Sequence, residues 1–181
     1  MKKISLPLRS RMTPSDAIRA AGAEPGLRVL SSRTCQASET ASKLLTLRGK
    51  ASVEEISALR LADGVPVAWV TAWIPADRVV GFREVLELTG CFTLALKAKR
   101  VYLRERRLAQ VSAYPAGPEE MELLGVARHS PIIRIQAVVD DRGNEPTIAS
   151  DTRYDARCVE LLIDNPGPWM SNRAPRESSL V

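Results

Sequence analysis

The chain has 181 residues, of which 45% are hydrophobic and 26% charged, and its formal net charge is +5. These values are ordinary for a soluble globular domain with a sizeable core. The sequence has no apolar run long enough to span a membrane, and the apolar stretch after the Met-Lys-Lys start is too short for a signal peptide. We therefore expect a cytoplasmic protein with no membrane partner. The modest positive charge is compatible with an anionic ligand or weak contact with nucleic acid.

Side chains for metal or nucleophilic chemistry are scarce. Cys35, Cys91 and Cys158 are odd in number, far apart and without a Cys-x-x-Cys pair, which argues against a disulfide framework and a zinc site. His129 is the only histidine, so a serine- or cysteine-based triad also lacks partners. We predict no metal, no cofactor and no catalytic residue.

The first elements are predicted from capping and periodicity. Residues 1–12 are basic and lack a sustained period, which indicates a linker. A helix is expected from Thr13, because Thr13 and Asp16 form a capping-box pattern and Pro14 suits the first helical position. Gly22 ends it. The next two predicted elements are a strand over Leu27–Thr34 and a helix over Ser38–Leu47.

The segment Val53–Pro75 predicts a β-hairpin, with a polar turn at Ala62-Asp63-Gly64. In its second strand both faces are largely apolar, so we expect structure or a ligand to cover it on both sides. The predicted faces are Val67, Trp69, Thr71 and Trp73 on one side and Ala68, Val70, Ala72 and Ile74 on the other.

The remaining elements follow from similar patterns. Predicted helices cover Ala76–Leu88, Thr93–Lys99 and Pro118–Val126; predicted strands cover Arg100–Tyr114, Pro131–Val139, Glu145–Tyr154 and Val159–Ile163. Residues 165–181 are rich in Pro, Ser and Arg, which predicts a flexible tail. Strand, helix and hairpin occur in this order twice, so we expect an α+β fold built from two similar halves.

Two strings carry a resemblance to a known family: LRLADGVPVAWVTAWIP, which ends at Pro75, and VVDDRGNEPTIASDTRYDARCVELLID, which ends at Asp164. Over roughly Arg9 to Asp164 the chain resembles the UTRA domain, the effector-binding part of GntR-type transcription factors of the HutC subfamily. The segments at 71–73 and 152–157 are most similar to regulators of phosphonate operons. We assign residues 13–164 to this domain.

The resemblance implies a chorismate-lyase-like fold, in which helices pack on an antiparallel sheet. It also implies a homodimer, a small anionic effector, and a winged helix-turn-helix head upstream. No helix-turn-helix pattern fits within residues 1–12. We therefore expect DNA contact only through a head that is missing from this chain.

Arg60 is the leading candidate for ligand binding. The family carries an Arg-x-Arg pair at the end of this strand, and a guanidinium matches two oxygens of a phosphate or phosphonate. Ala58 replaces the first arginine here, which suggests a smaller or less charged anion. The alternative is an exposed arginine in a surface ion pair.

The other candidates follow from the resemblance and from strand alternation. Gly90-Cys91-Phe92-Thr93 matches a family turn into a helix, whose free N–H groups favour anions; Cys91 replaces the usual serine, and Thr93 offers a hydroxyl. The phosphonate branch has a Tyr-x-Arg pattern that Tyr102 and Arg104 match. The further candidates are Ser150 and Tyr154 as hydrogen-bonding groups, and Thr71 in the segment shared with the phosphonate branch. Trp69 and Trp73 are either core residues or pocket walls, and as walls they would favour a small ligand with an apolar or cationic part. Val70 and Ile148 stand where sugar-binding members carry glutamates, which argues against a sugar.

Two other functions remain open at this point. The fold is shared with chorismate lyase, so an enzyme acting on a small carboxylated substrate is the main alternative, with Glu54, Glu55 and Asp151 as the available acids. The missing arginine at Ala58 and the missing glutamate at Val70 would also fit a dimerisation module that has lost its ligand. The basic run Lys97–Arg107 favours a solvated strand over a nucleic-acid site, because Tyr102 is its only aromatic residue.

Overall fold

A computed structural model describes residues 2–8 and 12–163. The strands in these ranges are β1 (Ile4–Pro7), β2 (Pro25–Gln36), β3 (Ser52–Ala62), β4 (Val65–Pro75), β5 (Leu103–Pro115), β6 (Pro131–Asp141), β7 (Pro146–Asp155) and β8 (Val159–Leu162). The α-helices are α1 (Pro14–Ala20), α2 (Glu39–Leu45), α3 (Phe82–Thr89), α4 (Phe92–Ala98) and α5 (Pro118–Leu124). None of these helices is long and apolar enough to cross a membrane.

Six strands form one antiparallel sheet in the order β2-β3-β4-β7-β6-β5. The first half of the sheet is built by β2, α2 and the hairpin β3-β4, and the second by β5, α5 and the hairpin β6-β7. The halves meet where β4 pairs with β7, at the centre of the sheet. The predicted α+β fold and its two similar halves are therefore confirmed.

Helices cover both faces of the sheet. On the face that we call the inner face, Val70 and Ala72 belong to a core that also contains Phe82 of α3 and Phe92 of α4, while Ile18 of α1 packs at the other end of the same face. On the outer face, α2 packs in a cluster with Trp73, and α5 packs in a cluster with Leu59. The prediction that β4 is covered on both sides is confirmed.

Two local predictions are also confirmed. Thr13 caps α1, with Asp16 bonding back to the Thr13 amide to complete the capping box. The β3-β4 turn places both Asp63 and Gly64 at positive φ, 50° and 78°, as a two-residue hairpin turn of this twist requires. The Asp63 carboxylate accepts a hydrogen bond from the Glu24 amide, which fixes the turn to the start of β2.

Three predictions differ from the structure. Within the predicted linker 1–12, Ile4–Pro7 forms β1, which pairs in parallel with β8. The predicted helix Ala76–Leu88 is divided into a short 3-10 helix, Ala76–Arg78, and α3, because Gly81 adopts a left-handed φ of 63° between them. Val67 packs with Ala68 because a bulge in the β3-β4 pairing breaks the alternation there. The predicted tail 165–181 lies outside the described residues.

Candidate ligand-binding cavity

A cavity of about 380 Å³ opens on the inner face, between α1 at one end and α4 at the other. It is floored by β4, β7 and β6 and closed laterally by Arg60 of β3, by β5 and by the N-terminal segment. The lining residues are Leu6, Pro7, Leu8, Thr13, Pro14, Arg60, Val70, Ala72, Phe92, Thr93, Leu103, Arg104, Arg106, Ile135, Ala137, Val139, Ile148, Ser150, Thr152 and Tyr154. Most side chains are aliphatic, and the charged ones are all arginines.

Arg60 reaches the cavity because it follows Ala58 on the inner face of β3. Its guanidinium lies 5.7 Å from the centre of the Phe92 ring. Its Nε atom is buried and has no hydrogen-bond partner among the described residues, and none of their carboxylates lies within ion-pair distance of it. A buried donor without a partner is costly, so this atom is prepared to receive an acceptor from a ligand.

Ser150, Thr152 and Tyr154 alternate along the inner face of β7 and place three hydroxyl groups in the cavity wall. Tyr154 is buried, and burial raises the pKa of its phenol, while the charges of Arg60 and Arg106 act in the opposite direction. Tyr154 therefore stays protonated at neutral pH and keeps its O–H group in a wall that also carries Arg60 and Arg106.

Two further arginines come from β5, at the edge of the sheet. Arg106 donates from Nη1 to the carbonyl oxygen of Leu8 over 2.8 Å. Arg104 is exposed and bonds the side-chain oxygen of Asn144. Neither has a carboxylate within ion-pair distance among the described residues. Both bonds leave most guanidinium donors available, since each guanidinium carries five.

The N-terminal segment forms one wall. Leu6, Pro7 and Leu8 line the cavity together with Thr13 and Pro14 at the start of α1. Strand β1 is held by its parallel pairing with β8, and the Leu8 amide continues that ladder to the Leu162 carbonyl over 3.1 Å. A molecule in the cavity would therefore touch both the sheet and the segment that leads into it.

Five of the eight residues predicted as ligand-binding lie around this one cavity: Arg60, Thr93, Arg104, Ser150 and Tyr154. Thr71 and Trp73 lie on the outer face, because they alternate with the inward-facing Val70 and Ala72. Trp73 packs against α2 and donates from Nε1 to Glu55 over 2.9 Å. Cys91 is the half-buried residue that precedes α4 and is outside the lining set.

Other lining residues were not among the predicted site residues. Strand alternation places Thr152 on the same face as Ser150 and Tyr154, but Thr152 was not selected as a ligand-binding candidate. Arg106 was part of the basic run but was not selected, although it lies two residues after Arg104. Leu6 to Leu8 gave no usable signal, because their strand depends on pairing with β8 at the far end of the sequence.

The outer face has arginines of a different kind. Asp151 is buried and accepts hydrogen bonds from Arg134, at 2.9 Å from Nε, and from Gln136. Arg153 lies 4.2 Å above the Trp69 ring and forms an ion pair with Glu120 at 3.6 Å. Arg157 pairs with Asp155 at 2.8 Å. Arg153 and Arg157 are thus engaged in ion pairs within the fold.

The acids considered for an enzyme are all occupied. Glu54 bonds the hydroxyls of Ser32 and Thr34, Glu55 bonds Arg33 and Trp73, and Asp151 bonds Arg134 and Gln136. None of the three lines the cavity. The cavity therefore has binding groups, and its described lining residues include no carboxylate to act as a general acid.

The chain thus combines an antiparallel sheet, helices on both of its faces and a cavity lined by three arginines. Residues 20–158 match the profile of the UTRA domain. The chain belongs to the UTRA domain family, which confirms the resemblance inferred from its two strings.

Relatives agree with this assignment. The chain is 25% identical over 162 residues to an uncharacterized HTH-type transcriptional regulator of Rhizobium meliloti (strain 1021), an alignment that covers 90% of this chain and 66% of the relative. The chain thus spans just under two thirds of that regulator.

Solved structures share the fold. PhnF from Mycobacterium smegmatis superposes with a TM-score of 0.81 at 20% identity, covering 90% of this chain and 72% of that one. The effector domain of the same PhnF gives a TM-score of 0.80 at 19% identity, covering 91% and 100%. A putative transcriptional regulator from Streptomyces coelicolor gives 0.68 at 23% identity, covering 76% and 91%. At these identities the likeness concerns the fold alone.

Proposed function

We propose that this chain is the effector-binding domain of a GntR-type regulator of the HutC subfamily, and that its cavity binds a small anionic metabolite such as a phosphonate or a phosphate ester. The observation that carries the proposal is Arg60, whose buried Nε lacks a partner among the described residues at the wall of the cavity. Arg106 and the Tyr154 hydroxyl add donors nearby. Together these groups suit an anion with several oxygens.

The proposed action is regulatory and not enzymatic. Binding would bias the placement of two subunits in a homodimer, and so the spacing of any attached DNA-binding heads. A ligand shifts such an equilibrium only by its differential affinity for the two arrangements. The N-terminal wall of the cavity supports this route, because a ligand that touches Leu6 to Leu8 contacts the segment nearest to an upstream head.

Binding can be tested by titrating the purified domain with methylphosphonate, phosphate esters and dicarboxylates in a calorimeter and a thermal-shift assay. A ligand present at about 100 times its dissociation constant should stabilise the fold by roughly 2.7 kcal/mol. Arg60→Met should then weaken binding by about 10- to 100-fold, because charge-assisted hydrogen bonds contribute roughly 1.5–3 kcal/mol.

The matched control is Arg83→Met. Arg83 pairs with Glu87 on the exposed surface of α3, so this change removes the same charge away from the cavity. It should leave the affinity unchanged. Equal affinities of the Arg60→Met variant and the unmodified domain would contradict the proposed site, and a panel without any binder would contradict the proposed function.

A further inference from the structure

The floor of the cavity is lowest along one row of small side chains. Ala72 of β4, Ser150 of β7 and Ala137 of β6 pair in register across three neighbouring strands. The adjacent rows carry larger groups. These rows are Val70, Thr152 and Ile135 on one side, and Ile148 and Val139 on the other. The small row therefore forms a trough between aliphatic walls, and the space above it suits a hydrocarbon group.

Along the strands, the cavity lining changes from polar at Arg60 and Tyr154 to small side chains at the row that contains Ala72. Arg60 and Tyr154 flank Ala68 in the sheet, at the row beyond Val70. The Arg60 guanidinium lies 5.7 Å from the centre of the Phe92 ring, and Phe92 packs in one cluster with Val70 and Ala72. An anionic group held at Arg60 would therefore leave the rest of a short molecule lying toward the small row.

Among the described residues, the cavity lining offers no counter-charge for a cation. Its described lining residues include three arginines and no aspartate or glutamate. Asp151 faces the opposite side of the sheet, and Asp16, which caps α1 beside Thr13, bonds Thr13 and Arg19. An ammonium group in the cavity would lose water without gaining a carboxylate and would be repelled by the arginines.

We propose that the cavity selects an anion whose body is uncharged and aliphatic, such as a short alkylphosphonate or alkyl carboxylate, and discriminates against zwitterions such as aminophosphonates. This inference rests on the proposed function, because it specifies the ligand of the same site. Burial of the alkyl group over the Ala72, Ser150 and Ala137 row supplies the affinity that the anionic group does not.

A pair of isosteric ligands tests the charge of the body directly. n-Butylphosphonate and 3-aminopropylphosphonate differ only in a terminal methyl group and a terminal ammonium. In calorimetric titrations of the unmodified domain, we expect butylphosphonate to bind at least about tenfold more tightly. Pentanoate and 4-aminobutanoate make the same comparison for a carboxylate, and the tighter-binding of the two compounds without an ammonium group identifies the preferred head group.

Three outcomes are decisive. Equal or tighter binding of the ammonium compounds overturns the inference and leaves the anionic site intact. Binding of butylphosphonate that Arg60→Met does not weaken places the ligand elsewhere and also overturns it. If all four compounds fail to bind, the inference falls for these short chains, and the broader panel described above then decides whether the proposed function falls as well.

A designed reversal gives an independent test. Ser150 is half-buried at the centre of the small row. Ser150→Asp places a carboxylate there and should shift the preference toward 3-aminopropylphosphonate, whereas Ser150→Asn, which is of equal size and neutral, should not. If both variants shift the preference equally, charge is not the cause. The comparison of n-butylphosphonate with 3-aminopropylphosphonate uses the unmodified domain, so it remains valid whether or not these variants fold.

Discussion

The two faces of the central sheet use arginine in opposite ways. On the outer face, Arg134 binds the buried Asp151, and Arg153 pairs with Glu120. On the inner face, Arg60 has no acidic partner among the described residues and lies over an aromatic ring beside a cavity. Paired arginines hold a structure together, while an unpaired one keeps its donors for a ligand. We therefore expect the outer-face arginines to serve stability, and we propose that Arg60 on the inner face serves recognition.

The largest expected effect is on the outer face. Asp151→Ala should destabilise the domain by about 3 kcal/mol, because it removes a buried carboxylate that pairs with both Arg134 and Arg153. Urea denaturation measures this loss. Glu87→Ala, which breaks the exposed pair with Arg83, is the matched control and should cost only about 0.5 kcal/mol. Similar losses in the two variants would contradict a structural role for the outer-face network.

Glu120 pairs with Arg153 in the same network, and its carboxyl makes the stability of the fold depend on pH. Burial raises the pKa of its carboxyl, but hydrogen bonds from Tyr114 and the Gly117 amide and the charge of Arg153 outweigh it, so the net pKa is lowered. A lowered folded pKa gives stability that is present above about pH 4.3 and lost as pH falls through the folded value. Glu120→Gln should cost about 2–3 kcal/mol at neutral pH, from the lost charge-assisted bonds.

Tyr114 makes the stability of the fold depend on pH at the alkaline end of the pH range. Burial and the bond to Glu120 raise the pKa of its phenol to about 12. The stability that Tyr114 contributes is therefore fully present below about pH 10 and is lost as the pH rises through the pKa of the folded state. Urea midpoints measured across pH should show a flatter acid limb for Glu120→Gln and a flatter alkaline limb for Tyr114→Phe. An acid limb identical to that of the unmodified domain would contradict the role given to Glu120.

Alternation predicted much of the cavity but not which face it occupies. A two-residue period placed Ser150 and Tyr154 together, and the resemblance selected Arg60. Trp73 was placed in the pocket because both faces of β4 are apolar, and apolarity does not tell a helix-covered face from a cavity. Here α2 occupies the face of Trp73, and the cavity lies over Val70 and Ala72.

The features that were not predicted from the sequence depend on pairing between distant parts of the chain. Strand β1 is only four residues long, and its partner β8 begins at Val159, so no local sequence pattern predicts β1. Register shifts in the β5-β6 pairing occur on either side of Arg106, which breaks the simple alternation that would link it to Arg104. These features depend on contacts that form only when the whole domain folds.

A smaller effect is expected at Trp73. Trp73→Phe removes the indole bond to Glu55 and should cost about 1 kcal/mol, while ligand affinity stays unchanged because the side chain packs against α2. Phe92→Leu is the matching change on the inner face. It removes the ring beneath Arg60 and should lower the affinity for the ligand. Loss of affinity in Trp73→Phe would show that the outer face contributes to recognition.

The smallest change in stability is expected at Arg60. Arg60→Met removes no ion pair to a described residue, and a methionine sulfur can replace the guanidinium against the Phe92 ring. The free energy of unfolding should therefore change by less than about 0.5 kcal/mol, although the same variant binds the ligand more weakly. Urea denaturation without ligand measures the first effect, and calorimetry the second. A loss of stability comparable to that of Asp151→Ala would mean that Arg60 serves the fold, and the contrast between the two faces would no longer separate structure from recognition.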